Sequence, residues 1–494
     1  MEPTNLELLN GIRLALSGRL LPMVENSDAR KLLEMIRLAT EELARRETAG
    51  TEGRDRLRND LMEMARRAEA MVGGAGTGDT FYRWPEAGDL DQAAALTCNA
   101  EWSRLANATP PLLALSRGNS PERAKEARDL LSGIADAEVA QHLYASAPVV
   151  RDVRDETSTD ERLAGMDDYF ASRLNLAGAA IRKIRRLSGG YSNETILLEV
   201  GRSGEGARSL VLRVARGDGL MSPYVTSLKE EQQLLALAHG SGVPVPNVLW
   251  LEEDTALLGG QFMVMDFVSG SVVGDTMGSF GKLDDQLIRN YAATIAKLHG
   301  MDWQNWAGEL PPRLVPSRQL SVSDSMDLIL DGLKSYIEAS SLTGSPVVMI
   351  LIDWLARNKP ADPHPPVVAH GDLAFHNWLF DGDMPLALLD WETAVLCSPV
   401  KDLAVIRDVA IPPEQWPLFL DAYVAAGGRA PADAEMHYFG VLRQLHAILV
   451  TTAGGQKMFR KVDPLNIDYL ELFIRHRGHF YSAFKRDFPD LLIS

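Results

Sequence analysis

The chain contains little cysteine and no long apolar run, and both shortages limit what it can be. Two cysteines in 494 residues, Cys98 and Cys397, cannot form a disulfide framework, so a reducing compartment is expected. No run of about 18 uninterrupted apolar residues occurs, so no segment is expected to span a bilayer. The first seven residues carry acid where a secretory signal carries base. These absences predict a soluble, cytoplasmic protein.

Positive charge is also scarce. The chain has 50 Lys and Arg against 67 Asp and Glu, a formal net charge of −17. Because nucleic acids and anionic membranes repel such a chain, neither is expected as a partner. The remaining composition, 46% hydrophobic and 24% charged, is typical of globular proteins, and the length suits two to four domains.

Residues 1–160 carry helical patterns almost throughout. Leu32, Ile36, Ala39 and Leu43 recur at three- and four-residue spacing, which is typical of an amphipathic helix, and further helices are predicted over 54–72, 89–106 and 121–145. A polar, charge-mixed stretch over 148–160 is typical of a boundary segment. We therefore predict an all-α N-terminal domain. Its role is open among a lid, a docking module and a surface for homo-oligomer formation.

Beyond this domain the pattern changes to strands and then to long helices. Thr195–Val200 and Ser209–Val214 are strand-like and flank a turn-rich segment, which predicts a β-hairpin. Another strand is predicted over Gln261–Phe267, and long helical patterns follow it. The sequence therefore predicts a small β-rich lobe over about 181–268 and a larger helical lobe over about 269–494.

The residues that point to chemistry lie in the helical lobe. Phosphoryl transfer needs a carboxylate for the attacking hydroxyl and oxygen ligands for Mg²⁺. Asp372 and Asn377 have the Asp-to-Asn separation of the kinase loop H-R-D-x-x-x-x-N, and Asp390 follows an apolar, strand-like run. Each of these residues alone could instead form ordinary loop hydrogen bonds. The three in this order favour a phosphoryl-transfer site.

His370-Gly371-Asp372 with Asn377, followed by Asp390 at the next strand end, resembles the signature of the aminoglycoside phosphotransferase family. The resemblance extends from residue 166 to residue 494. It implies an α+β, bilobal protein-kinase-like fold with a β-rich N-lobe and a helical C-lobe, preceded by the all-α domain. By the same resemblance Asp372 is the catalytic base, and Asn377 and Asp390 are the magnesium ligands.

Within that family, two segments resemble the acyl-CoA-dehydrogenase-associated branch most closely. They are Asp390-Trp391-Glu392 and the later stretch 398–404. The resemblance implies a hydroxyacyl-CoA acceptor, and Glu392 is left open as a further contributor to the site. Gly371 stands where protein kinases carry an arginine that helps to order a phosphorylated loop, so a small-molecule acceptor is favoured over a protein.

The resemblance also implies a set of residues that bind ATP. They belong to a phosphate-covering loop, a cationic strand, a helix with a pairing glutamate and the adenine hinge: Gly189, Gly190, Ser192, Asn193, Arg213, Glu230, Met265 and Phe267. Arg213 replaces the lysine of V-A-I-K, an exchange that is not neutral. Glu230 aligns best as its partner, with Glu231 left open. The plainer alternatives are a hairpin turn, a solvent-facing arginine and an apolar core strand.

The acceptor is predicted from charge. Residues 401–494 contain 11 acidic and 11 basic residues, so this segment is basic relative to the whole chain. Basic clusters at 456–461 and 475–477 suit an anionic acceptor better than a polycation, unless they are simply solvated helix faces. The leading hypothesis is an ATP- and Mg²⁺-dependent kinase of a small-molecule hydroxyl. The alternatives are an antibiotic or amino-sugar kinase and a catalytically silent nucleotide-binding scaffold; ATP and GTP are not distinguished.

Overall fold

The computed structural model describes residues 59–73, 92–144, 162–187, 193–215, 226–273, 282–312, 314–339, 345–362, 364–451 and 491. The predicted phosphate-covering residues Gly189, Gly190 and Ser192 lie outside these ranges, as do both basic clusters. Among the described residues, no helix is long and apolar enough to cross a membrane.

The described helices and strands follow one another in an order that matches a β-rich lobe and then a helical lobe. The helices are α1 (59–72), α2 (Gln92–Leu115), α3 (Pro121–Tyr144), α4 (Asp167–Arg173), α5 (Leu228–Gly240), α6 (Thr255–Leu258), α7 (Asp285–His299), α8 (Val322–Ala339), α9 (Pro346–Arg357), α10 (Val400–Val409), α11 (Trp416–Ala425) and α12 (Asp433–Leu449). The strands are β1 (Ala180–Leu187), β2 (Asn193–Gly201), β3 (Arg208–Ala215), β4 (Val248–Glu252), β5 (Phe262–Asp266), β6 (Val367–Ala369), β7 (Trp378–Asp381), β8 (Met384–Leu388) and β9 (Val395–Cys397).

The chain divides into two compact units. One contains residues 1–154, 334–357 and 444–494, and the other contains 155–333 and 358–443. The predicted division at residues 160 and 166 did not anticipate that 334–357 would join the N-terminal helices. Helix α9 packs against α2 and α3 in that first unit.

Two helices of the first unit show how its core is built. Trp102 and Leu105 of α2 and Ile134 of α3 are fully buried. Helix α2 extends to Leu115, beyond the predicted end at residue 106, although Pro110 lies inside it. The pattern underestimated this helix because a proline usually ends one. Burial of apolar residues beyond the proline favours the longer helix.

The β-rich lobe is a five-stranded antiparallel sheet with the strand order β1-β2-β3-β5-β4. In β3 the alternate residues Leu210, Leu212 and Val214 are buried in the core, with Arg213 between them on the other face. The predicted hairpin is therefore β2 and β3, and the period-2 pattern that predicted it also sets its buried face. This alternation directs Arg213 toward the helical lobe.

The helical lobe is organised around α7, which begins at the N-cap Asp284. The Asp284 carboxylate accepts the backbone N–H groups of Gln286 and Leu287. Tyr291 of α7 is fully buried, and its hydroxyl donates to the carbonyl of Leu373. Below the sheet lie two short antiparallel pairs, β6 with β9 and β7 with β8. These pairs hold the loops that carry the site.

Candidate active site

The loop that carries Asp372, called the catalytic loop below, begins after Ala369 at the end of β6. The carboxylate of Asp402 holds its backbone. Asp402 is fully buried; its Oδ2 accepts the His370 N–H at 2.8 Å and its Oδ1 accepts the Gly371 N–H at 2.7 Å. Gly371 has φ +89°, a left-handed conformation that favours glycine. Asp402 thereby sets the backbone direction from which Asp372 projects.

A histidine and a tyrosine complete the support of Asp402. His299 Nε2 lies 3.1 Å from the Asp402 carboxylate, and His299 Nδ1 lies 2.8 Å from the Tyr423 hydroxyl. Burial opposes ionisation of Asp402, but the hydrogen bond and charge of His299, with the charge of Lys401, hold its pKa below the usual range. Asp402 was not among the residues predicted to form the site. A charged residue within an apolar helical run was the signal that could have identified it.

Asp372 projects into the opening above this support. Its Oδ2 accepts the Asn377 side-chain N–H at 2.8 Å and lies 3.5 Å from His376 Nε2. Burial would raise the pKa of Asp372, but His376, His370 and the Asn377 amide together hold it well below its usual range. Its side chain is 41% exposed, so a hydroxyl can reach it. The geometry suits an ionised carboxylate that orients a hydroxyl and receives its proton.

The two predicted magnesium ligands are brought together by a hairpin. Strands β7 and β8 pair Trp378 with Leu388, and the Leu389 N–H extends the pairing by donating to the Asn377 carbonyl at 2.8 Å. Asp390 follows directly, with φ 58° and ψ 69°. Asn377 and Asp390, thirteen positions apart, therefore stand side by side at the open end of the hairpin.

The donor chemistry of this pair fits magnesium. The Asn377 amide nitrogen already donates to Asp372, which leaves its Oδ1 for a cation. An amide oxygen and a carboxylate are ligands that Mg²⁺ takes together with substrate phosphates. Among the described residues, no group of three or more His, Cys, Asp or Glu forms a metal-ligand cluster. Magnesium held by this pair would take its remaining ligands from water and from phosphate oxygens.

Arg213 links the sheet to the metal side of the site. Its Nη1 lies 3.0 Å from Glu231 Oε1, and its Nη2 lies 3.0 Å from Asp390 Oδ1. Burial would lower the pKa of Arg213, but the charges of Glu231, Asp390 and Glu392 raise it. The Nε of Arg213 is buried and has no hydrogen-bond partner among the described residues. A phosphate oxygen would satisfy this group, so Arg213 fits the predicted nucleotide role and not that of a solvent-facing arginine.

The prediction that Glu230 pairs with Arg213 was wrong, because the partner is Glu231. Glu230 instead completes a capping box with Ser227, whose backbone N–H donates to the Glu230 carboxylate at 2.7 Å. One residue further along α5 turns the side chain toward the sheet, and Glu231 is 1% exposed. Burial raises the pKa of Glu231 against the opposing effect of Arg213.

Helix α5 is also tied to the segment after Asp390. The Thr226 N–H, just before the helix, donates to the Glu392 carbonyl at 2.8 Å. The Thr226 hydroxyl lies 3.2 Å from the carbonyls of Trp391 and Glu392. Glu392 was left open as a contributor; the structure uses its backbone here, and its charge acts on Arg213.

The predicted hinge strand is β5, and it lies beside β3. Met265 is buried, whereas Phe267 just beyond the strand is exposed. The N–H groups of Asp266 and Phe267 donate to the carbonyls of Asn247 and Ser209, so neither is available to a purine. Asn193, the remaining described member of the predicted set, is the first residue of β2.

These residues lie in a kinase-like fold, and the comparisons with known proteins give the family. The model of the phosphotransferase enzyme family (APH) matches residues 183–439, slightly more than half of the chain. The chain therefore belongs to the phosphotransferase enzyme family and is a phosphotransferase. The predicted family and fold class are confirmed.

Two curated relatives are longer proteins that this chain matches in part. Acyl-CoA dehydrogenase family member 11 of Gallus gallus is 28% identical over 233 residues, which cover 46% of this chain and 28% of the relative. Acyl-CoA dehydrogenase family member 10 of Mus musculus is 24% identical over 273 residues, 53% of this chain and 23% of the relative. The chain thus spans only about a quarter of the length of these relatives.

The solved structures that resemble part of this chain include a phosphotransferase and a kinase family protein. A macrolide 2'-phosphotransferase from Brachybacterium faecium has a TM-score of 0.41 and 18% identity, covering 60% of this chain and 92% of that chain. A choline/ethanolamine kinase family protein from Mesorhizobium loti has a TM-score of 0.44 and 19% identity, and the match covers 68% of this chain and 98% of that chain.

Proposed function

We propose that the protein is an ATP- and Mg²⁺-dependent kinase that phosphorylates a hydroxyl of an anionic small molecule, with a hydroxyacyl-CoA ester as the first candidate. The observation that carries the proposal is the hydrogen bond between Asp372 and Asn377 beside Asp390, with Arg213 opposite. This arrangement supports a site in which Asp372 acts as the base, Asn377 and Asp390 hold the cation and Arg213 binds phosphate.

Each group has a distinct task in this proposal. Bound magnesium would neutralise charge on the phosphates, held by Asn377 and Asp390. Arg213 would release Asp390 to the metal and bind phosphate oxygens through its planar guanidinium. Asp372 would accept a hydrogen bond from the acceptor hydroxyl, orient it toward the phosphoryl group and take its proton. Because the pKa of Asp372 is low, the carboxylate stays ionised throughout the neutral range.

The acceptor class is supported by charge and by the relatives. The 401–494 segment is net neutral in a chain of net charge −17, which suits an anionic acceptor better than a polycationic antibiotic. The matched relatives carry the name acyl-CoA dehydrogenase family member, and this name supports a hydroxyacyl-CoA ester as the first acceptor to test.

The test is a phosphate-transfer assay on the full chain with Mg²⁺ and either ATP or GTP. The acceptors are a hydroxyacyl-CoA, the same hydroxy acid without CoA, and an aminoglycoside. We expect transfer to the CoA ester and much less to the other two. Transfer to the aminoglycoside alone would overturn the acceptor class, and no transfer with retained nucleotide binding would favour the scaffold hypothesis.

The role of Asp372 is tested with the isosteric variant D372N. We expect turnover to fall by about a hundredfold to ten-thousandfold while Mg·ADP binding is kept. The matched control is D381N, because Asp381 is an exposed aspartate at the end of β7. Equal turnover in D372N and D381N would remove Asp372 as the base.

A further inference from the structure

Arg213 contacts the carboxylate that the proposed function assigns to the metal. Its Nη2 lies 3.0 Å from Asp390 Oδ1, while its Nη1 lies 3.0 Å from Glu231 Oε1. The side chain of Arg213 is 12% exposed and that of Asp390 is 36% exposed, so water and salt screen their contact only in part. The guanidinium therefore neutralises the carboxylate that a metal ion would need.

Asp390 is the charged member of the predicted ligand pair. Asn377 contributes a neutral amide oxygen, because its nitrogen donates to Asp372. The attraction of the pair for a divalent cation thus comes mainly from the Asp390 carboxylate. A positive group 3.0 Å from that carboxylate repels a second cation. We expect a free metal ion to bind weakly to this pair while Arg213 stays in place.

The backbones around this ion pair are held in place. Thr226, just before α5, donates its N–H to the Glu392 carbonyl at 2.8 Å, which ties the helix of Glu231 to the segment after Asp390. Arg213 belongs to β3, a central strand that pairs with both β2 and β5. Because these segments are fixed, the contact with Asp390 is broken by rotation of the long arginine side chain and not by movement of a strand or helix.

The observed position of the guanidinium leaves one of its donors without a partner. The Nε of Arg213 is buried and makes no hydrogen bond within the part of the chain that the structure describes. A buried donor without an acceptor costs free energy. Phosphate oxygens can accept several N–H groups of one guanidinium at once. A nucleotide phosphate therefore offers Arg213 acceptors that it lacks beside Asp390, whereas a free metal ion offers it none.

We propose that the ion pair between Arg213 and Asp390 is an autoinhibitory contact, which keeps the metal site closed until the phosphates of a nucleotide bind the guanidinium. Nucleotide and metal then bind with positive cooperativity, because the phosphates take up the charge that repels the metal. The assignment of Asp390 as a metal ligand rests on the proposed function, but metal binding is measured without turnover.

A purely structural ion pair predicts the opposite sign for one measurement. If Arg213 only joined the sheet to the segment of Asp390, its removal would loosen that segment, and the metal affinity would fall or stay the same. If Arg213 closes the site, its removal raises the metal affinity although the protein loses an ion pair. The measurement is made without nucleotide, because nucleotide phosphates bind metal themselves.

The experiment is a titration of the nucleotide-free full chain with Mn²⁺, in which electron paramagnetic resonance reports the free ion. Mn²⁺ takes the same oxygen ligands as Mg²⁺, and binding that is lost in D390N is assigned to the site. We expect R213M to raise the Mn²⁺ affinity about tenfold, the lower end of the effect that a neighbouring charge has on proton binding to a carboxylate.

R208M is the matched control for this titration. It removes another arginine of β3, which pairs with Asp266, and it should bind Mn²⁺ as the parent protein does. Saturating ADP should then raise the Mn²⁺ affinity of R213M by a smaller factor than that of the parent, because part of the coupling has been removed.

A second variant decides the matter if R213M does not fold. E231Q removes the charge of the other acid and leaves the guanidinium in contact with Asp390. The remaining ion pair is then stronger, so the Mn²⁺ affinity without nucleotide should fall by about threefold. An unchanged or higher affinity in E231Q contradicts the autoinhibitory role.

For a folded R213M, two results overturn the inference: a Mn²⁺ affinity equal to or lower than that of the parent protein, or no Mn²⁺ binding that depends on Asp390. The proposed function fails separately, when no hydroxyl acceptor is phosphorylated although Mn²⁺ binding depends on residue 213.

Discussion

Two carboxylates are completely buried, that of Asp402 beneath the catalytic loop and that of Glu138 in the N-terminal helical unit. Their pKa values are shifted in opposite directions. Asp402 accepts two backbone N–H groups, and the charges of His299 and Lys401 keep its pKa low. Glu138 accepts the Ser345 hydroxyl and the Val347 N–H, which are neutral donors, and burial raises its pKa to about 7.

The difference teaches that burial alone does not decide ionisation. Both carboxylates are desolvated, and both hold the backbone of another segment in place. The positive charges near Asp402 favour its ionised form, so the carboxylate beneath the catalytic loop stays ionised near neutral pH. Glu138 is stabilised mainly by neutral donors, so its protonation changes near neutrality and the stability of the helical unit depends on pH.

The largest expected effect follows from removing the anchored carboxylate. In D402A the N–H groups of His370 and Gly371 lose their acceptor inside the core, and Lys401 loses a neighbouring charge. We expect the free energy of unfolding to fall by about 3–5 kcal/mol, together with loss of turnover. Denaturant unfolding measures this, with the exposed Asp421 as the D421A control. A loss below about 1 kcal/mol would contradict the anchoring role.

E138Q should have the next largest effect on the free energy of unfolding, and this effect should appear only at high pH. The folded-state pKa of Glu138 is raised from 4.5 to about 7, so the stability linked to its protonation is complete below about pH 4.5 and is lost as pH rises through 7. A shift of that size corresponds to about 3 kcal/mol. Glutamine keeps partners for Val347 and Ser345 but carries no charge.

The E138Q prediction is checked by unfolding both proteins at pH 5 and at pH 8. We expect the variant and the parent to be similar at pH 5 and the variant to be the more stable at pH 8. Amide hydrogen exchange in α9, compared at equal pH, locates the effect in the helical unit. A parent protein whose α9 exchange is no faster than the variant's at pH 8 would show that Glu138 is not charged there.

A smaller effect, on nucleotide affinity, is expected from changing Arg213, whose guanidinium contacts two carboxylates. A lysine in place of Arg213 has one nitrogen, which cannot reach Glu231 and Asp390 together in the observed geometry. We expect R213K to bind Mg·ADP about tenfold more weakly, about 1.4 kcal/mol. R173K, which alters an arginine of α4 that pairs with Glu252 of β4, is the control and should leave affinity unchanged. Unchanged affinity in R213K would mean that its second nitrogen is dispensable.

The smallest effect is expected from E230Q, which is compared with E231Q at the next position of α5. Glu230 is held by the neutral Ser227, and glutamine also serves in a capping box, so E230Q should change stability by less than about 0.5 kcal/mol. E231Q removes the charge that faces Arg213 and should weaken Mg·ADP binding. Titration of both variants under one buffer condition makes the comparison. The assignment is reversed if E230Q is the variant that loses affinity.

The corrected glutamate shows what local pattern could have revealed. Ser227-Leu228-Lys229-Glu230 is a capping-box sequence, which makes Glu230 the residue that reaches back to the cap. With that start, the helix phase directs the next residue, Glu231, to the buried face. The start of the helix, which is visible in the sequence, was therefore enough to place Glu231 on the buried face.

Asp402 and Lys401 show where local pattern is insufficient. Asp372 and Asn377 lie in one short loop, so their spacing alone indicated that they meet. Asp402 contacts the loop from thirty positions away, and which backbone groups it accepts depends on how α10 packs under β6. The signal in the sequence was one of composition, a charged pair within an apolar helix.

The amino-acid sequence by itself determined the parts of this protein that depend on short range: the alternating strands of the β2–β3 hairpin, the catalytic loop and the strand that ends at Asp390. Only the tertiary structure decided that Arg213 contacts Glu231 and Asp390 together and that Asp402 supports the loop. The reason is that hydrogen-bond period and residue spacing are local properties, whereas the burial of a charge and the choice of its partner arise only when distant segments exclude water together.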